Sequence, residues 1–308
     1  MLSCLGFVQL TSLFQGEVKP EATIKEDAGF LRATFTSAKG TITVILPSDI
    51  AQGDTISGTY FPDAKAKDVT DVQIDLGTSH GPPPEIANSP RRKWDVPSDA
   101  GARLSLTVWT PDGVSFGTTY VNVNAKKAKL TQFTFPNFAR IGATTVISGP
   151  FDGDADNTIV KSTGVECAVV AESPRNAIVL VPSSMKMGQN TIELSEPKQK
   201  AEASTRFVTV QISSPKSSLS RGEVSSVTVK VDGLQGISAK QSAMIVVENL
   251  TPMVIDIDGK LKHFLFAKST EDGTYSWTLG LHCLLNGKFG VGATVDPGPG
   301  TKVNPIKL

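Results

Sequence analysis

Along most of this chain apolar and polar residues alternate with a period of two, the pattern of strands that bury one face. The clearest runs are residues 41–46 (TITVIL), 55–60 (TISGTY), 69–76 (VTDVQIDL), 104–109 (LSLTVW) and 118–123 (TTYVNV). They are rich in β-branched and aromatic residues, which fit a pleated, half-buried surface. Pro47 ends the first run, Gln52-Gly53-Asp54 turns into the second, and Thr110-Pro111-Asp112-Gly113 joins the last two as a hairpin. Helical periodicity is almost absent. The 27 Gly and 19 Pro fall mainly between the runs, as turn residues of an all-β protein do.

The runs fall into three series. The first spans residues 20–125 and closes with the 104–123 hairpin. Within it, residues 79–99 are Pro-rich and poor in apolar residues, and are expected to form a long exposed loop with stiff polyproline at 82–84. A polar linker (AKKAK, 125–129) leads to a second series, residues 128–212, with short apolar runs near 131, 144, 159, 166, 177, 191 and 205. Seven short strands in about 85 residues is the spacing of a small sandwich. The third series, residues 213–308, opens on the strictly alternating 224–231 (VSSVTVKV) and closes with 273–279 and 287–295. Residues 281–285 (LHCLL) read either as a helical turn or as a bent strand, with His282 in the core. The pattern predicts an all-β chain of three tandem immunoglobulin-like β-sandwich modules. Residues 1–16 are mostly apolar or small and resemble a secretory signal peptide without its basic start.

In the second series the residues themselves are familiar. Ile147-Ser148-Gly149-Pro150-Phe151-Asp152-Gly153-Asp154-Ala155-Asp156-Asn157-Thr158 is similar to the opening of IPT/TIG immunoglobulin-like domains, where a strand ends in glycine and a turn of small residues leads to Asn. The segments 177–182 (AIVLVP) and 187–194 (MGQNTIEL) resemble that family's Pro-ended strand, glycine turn and following strand. The resemblance covers residues 128–212 and implies an immunoglobulin-like sandwich. It selects no role, because such domains serve receptors, exported proteins, polysaccharide-active enzymes and transcription factors alike. The flanking series resemble generic bacterial exported sandwich modules.

Charge narrows the partners. Lys plus Arg and Asp plus Glu number 30 each, so no net field draws the chain to nucleic acid or to an anionic membrane. No apolar run reaches transmembrane length. The three cysteines, Cys4, Cys167 and Cys283, have no zinc-ligand spacing, and Cys167 and Cys283 read as small buried hydrophobes. The expected partner is a protein or glycan at a cell surface, and the expected location extracellular, periplasmic or at that surface.

Candidate chemistry is sparse. No nucleophile elbow, dinucleotide fingerprint or phosphate loop is present. No cofactor is expected. Asp152, Asp154 and Asp156 alternate like the start of a calcium loop, but Asn157 stands in the glycine position and Thr163 where a bidentate Glu belongs. A polar turn is the preferred reading of that loop, with calcium held beside it. Trp94, next to Arg91, Arg92 and Lys93 in the expected loop, is the aromatic singled out as a contact residue, with Arg91, Arg92 and His80 as its neighbours in a binding surface. The leading expectation is therefore a non-catalytic exported or cell-surface protein acting as scaffold, spacer or adhesion element. A carbohydrate-binding accessory module is the first alternative, and a hydrolase with a site invisible as a motif the second.

Overall fold

A computed structural model of the chain describes residues 21–27, 29–66, 72–77, 79–80, 90–110, 112–237, 242–267 and 273–308. The expected signal segment, 1–16, and the polyproline run, 82–84, lie outside the described residues. Among these residues every regular element is a β-strand. The protein is a tandem of immunoglobulin-like β-sandwiches.

The first sandwich sets an antiparallel meander against a second sheet. The meander runs Glu21–Asp27, Phe30–Ser37, Gly40–Pro47, Thr55–Pro62 and Arg91–Asp95. The second sheet runs Ser79–His80, Gln73–Leu76, Arg103–Trp109 and Ser115–Asn122. Their inward positions, among them Phe35, Ile42, Leu46, Ile74, Leu106 and Phe116, form one buried cluster. A second cluster gathers Phe133, Phe135, Phe151, Val160, Val179 and Leu194. A third gathers Val208, Val229, Leu234, Ile245, Ile257 and Leu281. Cys167 and Cys283 are buried free thiols in two different clusters. Residues 281–283 belong to the strand Thr274–Cys283. There Leu281 and Cys283 face the core and His282 is exposed, which corrects the expectation of a core histidine: successive residues of a strand point to opposite faces.

The strand Gln199–Ser213 runs through two sandwiches. Its first half pairs with Gly188–Glu196 and its last five residues pair with Thr228–Asp232. Burial alternates as far as Ser204, and then Thr205, Arg206, Phe207 and Val208 are all buried. Phe207 fills the middle core and Val208 fills the next one. Alternation fails there because both faces of the strand are covered. The chain later returns. Thr301–Val303 pairs with Phe133–Phe135, and Ile306–Lys307 pairs with Gln199–Lys200. The last residues of the 213–308 series thus add strands to the middle sandwich, and the chain crosses between the two units twice.

Candidate functional site

The richest polar chemistry among the described residues lies where the first and middle sandwiches meet. An apolar floor comes first. Phe30 and Ile45 of the first sandwich pack on Val170, Ala171 and Ile178 of the middle one. Ile45 points away from its own core, so residues 44–46 are buried on both faces. The strand Val165–Ser173 has a bulge between Val169 and Ala171, and its residue Glu172 then pairs with Ser57 of the first sandwich. Bulges turn a strand and re-aim its side chains.

Arg175 crosses this joint. It is 5% exposed. Its Nε donates to Asp49 Oδ2 at 2.6 Å, while Nη2 donates to Asp54 Oδ2 at 2.5 Å and to the Asp49 carbonyl at 2.9 Å. Burial pushes the Asp49 carboxyl up, but the hydrogen bonds and charges of Lys127 and Arg175 outweigh it and hold the group below its ordinary value. Burial likewise opposes the charge on Arg175, and the two aspartates overcome it.

The loop that follows Phe151 docks on the same face, and its three alternating aspartates part company. Asp154 pairs with Lys93 at 2.7 Å and Asp156 pairs with Arg91. Lys93 is held above its ordinary value, first by the Asp154 hydrogen bond. The loop is thus no EF-hand: its aspartates reach different partners, and Thr163 sits at a hairpin tip with φ 49°. Gly153 is required at its position. Its φ is +87°, and an added Cβ would lie 1.9 Å from the Thr55 carbonyl oxygen.

Asp152 alone turns toward two glutamates. One carboxylate oxygen from each of Asp152, Glu172 and Glu196 lies within 4.8 Å of the others. The sequence pattern missed this group, since Glu172 and Glu196 sit on strands 20 and more residues further along, with no motif to connect them. Glu172 accepts from the Gly153 amide at 3.1 Å, and the Thr158 hydroxyl donates to Glu196 at 3.4 Å. Burial, ahead of any neighbour, pushes Glu172 up to about 8; Glu196 and Asp152 add to the rise, while the Thr158 hydroxyl and the Gly153 amide oppose it. Glu196 is also raised, again first by burial.

A pH dependence follows from this. An acid whose folded value is raised keeps its proton in the folded chain after the unfolded chain has lost it. Stability is then full below the ordinary value of 4.5 and is lost as the pH climbs toward 8. In metal-free buffer the unfolding free energy is expected to fall by a few kcal/mol between about pH 5 and pH 8, with Glu172→Gln removing most of that slope. Urea denaturation across this range reads it directly. Equal slopes in the two proteins would show that another group is responsible.

The residues expected to form a binding surface are not gathered into one. Trp94 is 1% exposed, and its Nε1 donates to the Ile74 carbonyl at 2.8 Å. This corrects the expectation of an exposed contact residue. Residues 91–95 are a strand that pairs with Thr55–Thr59, and the alternation of RRKWD sends Trp94 and Arg92 inward. Arg92 is buried, donates to the Val72 carbonyl at 2.9 Å, and lies 5.0 Å from the Tyr60 ring centroid. Arg91 turns the other way, donating to the Val169 carbonyl at 2.7 Å across the joint as well as to Asp156. His80 lies in the other sheet, in a two-residue strand opposite Asp75.

The far joint is also held by arginines of the middle sandwich. Arg206 donates to the carbonyls of Gly233 and Gln235 at 3.1 and 2.6 Å, and Arg140 donates to the Ala293 carbonyl at 2.6 Å.

No family model matches the chain, and no curated protein matches it. Among solved structures, the chain is similar to the SGBP-B protein of the Bacteroides ovatus mixed-linkage glucan utilization locus, solved with a mixed-linkage heptasaccharide: 13% identity over 88% of this chain and 84% of that one, TM-score 0.29. Immunoglobulin domains 1–5 of Sidekick-1 match at 12% identity over 87% and 65%, TM-score 0.24. The I9–I11 tandem of titin matches at 11% over 84% and 94%, TM-score 0.19. Among the described residues no helix is long and apolar enough to cross a membrane.

Proposed function

We propose that this chain is a non-catalytic, exported or cell-surface scaffold, whose sandwiches hold a partner protein or glycan at a set distance and orientation. The middle unit is read as an IPT/TIG-type sandwich. One observation carries the proposal: the middle sandwich is fastened to both neighbours by arginines, of which Arg175 and Arg206 are buried and Arg140 is half-buried. Arg175 reaches the aspartates of the first unit, and Arg206 and Arg140 reach carbonyls of the third. A chain of modules that only needed tethering would manage with a polar linker, since flexible joints are the default between domains. Ordering charged side chains at both joints serves a protein whose geometry matters.

Two measurements test this. Small-angle X-ray scattering of the purified chain should fit one rigid particle, and fractionation of the host should place the chain outside the cytosol. A scattering curve that demands free hinges at both joints would remove the scaffold reading. Recovery from the cytosol alone would remove the surface reading. The carbohydrate-binding alternative loses its named contact, because Trp94 is a core residue.

A further inference from the structure

We propose that Asp152, Glu172 and Glu196 bind a calcium ion, and that this ion locks the middle sandwich onto the first. Calcium–oxygen bonds run about 2.3–2.6 Å, so two oxygens on opposite sides of one ion lie up to about 5 Å apart. The three carboxylates, within 4.8 Å of one another, fit around a single ion. The donor set is oxygen throughout and brings three carboxyls together, which suits a hard divalent cation and not a soft one.

A separate observation points to a ligand. Glu172 is completely buried, and its Oε2 has no hydrogen-bond partner. Buried polar atoms are nearly always paired, and one that no donor reaches calls for a partner of another kind. The remaining carboxylate oxygens are oriented by the protein. The Gly153 amide holds Glu172 Oε1, the Thr158 hydroxyl and Gln199 hold Glu196, and the Asp154 amide and Asn157 hold Asp152. Such outer contacts fix ligand oxygens without occupying all their lone pairs. Asp152 is the exposed member, so the site opens to solvent on its side.

The placement couples the ion to the joint. Glu172 lies opposite Ser57 of the first sandwich, and Ser57 Oγ accepts from the Ala155 amide at 3.0 Å. Gly153 rests on the Thr55 carbonyl. The loop that carries Asp152 and the strand that carries Glu172 therefore both touch the neighbouring unit, and an ion between them ties both down.

The test uses the full chain stripped with EGTA and titrated with calcium chloride, by calorimetry and by thermal unfolding, in magnesium-containing buffer. The expected result is one saturable site per chain and an unfolding temperature raised by about 5 °C at a hundredfold excess over Kd. Glu172→Gln and Asp152→Asn should each weaken binding at least about tenfold, while Asp154→Asn, which removes only the Lys93 pair, should bind as the parent does. No saturable binding at millimolar calcium overturns the proposal. So does binding that survives both ligand substitutions. Asp152 is exposed, so Asp152→Asn carries the comparison even if Glu172→Gln does not fold. The readout is calcium on the purified chain, so the scaffold reading can fail while this site stands, and the reverse.

Discussion

Arg175→Ala is expected to destabilise the joined first and middle sandwiches by about 3–5 kcal/mol and to let them swing. The cost lies in what is left behind. Asp54 is buried, and its Oδ2 accepts from the Ala51 amide as well as from Arg175. Without the guanidinium it keeps one neutral donor and no cation. Asp49 is better placed, since Lys127 still holds it at 2.6 Å. A buried ion pair is not in itself a large source of stability, because desolvation offsets much of the attraction, but half of one is strongly unfavourable. Arg175→Lys should recover only part of the loss, as an ammonium cannot reach both aspartates with a planar fork. Urea denaturation gives the energy and small-angle scattering gives the motion. A variant with the parent's midpoint and scattering curve would show that the apolar contacts of Phe30, Ile45, Val170 and Ile178 and the remaining polar contacts hold the joint without Arg175.

Trp94→Ala should cost about as much, roughly 3–5 kcal/mol, and the loss should be confined to the first sandwich. Trp94 is among the largest fully buried side chains in the protein, and truncating it opens a cavity between the meander and the sheet carrying Ile74. Trp94→Phe keeps most of the volume and loses the Nε1 bond to the Ile74 carbonyl, which is worth about 1 kcal/mol. Trp94 fluorescence should also be shielded from iodide. An exposed sugar-stacking tryptophan predicts the opposite: normal stability, ready quenching and lost glycan binding. The alanine variant separates the two by its denaturation midpoint alone.

The alternation in 41–46, 104–109 and 224–231 is enough to read strands, their inward faces and hence an all-β protein of sandwiches. It works because a one-residue slip would expose every apolar side chain of the strand, so the pattern and the structure have to agree. The same rule misled at 91–95. Three basic residues in a row, next to a Pro-rich stretch, read as a solvated loop. Yet RRKWD alternates too, and its inward set is Arg92 and Trp94. An arginine can occupy an inward position when a carbonyl and an aromatic ring receive it, as Val72 and Tyr60 do here. The breaks in alternation carry information of their own. The apolar runs at 44–46 and 177–181 and the segment 205–208 are where a strand is covered on both faces, and each marks a joint between units.

The candidate site was legible only in its first member. Asp152 stood out because carboxylates at alternate positions suggest oxygen ligands. Glu172 and Glu196 looked like ordinary strand residues. Period-two patterning is local, and it sets which face each residue takes, so strands, turns and the all-β class follow from the order of residues. Which faces then meet depends on how the sheets stack, how the bulge at Val169 turns its strand, and where the chain returns at Thr301–Val303. Those contacts lie between residues distant along the chain, and no local pattern encodes them. Stacking of the first and middle sandwiches brings Arg175 to Asp54. The fold of the middle sandwich brings Glu172 and Glu196 to Asp152, and burial there leaves a carboxylate oxygen without a partner.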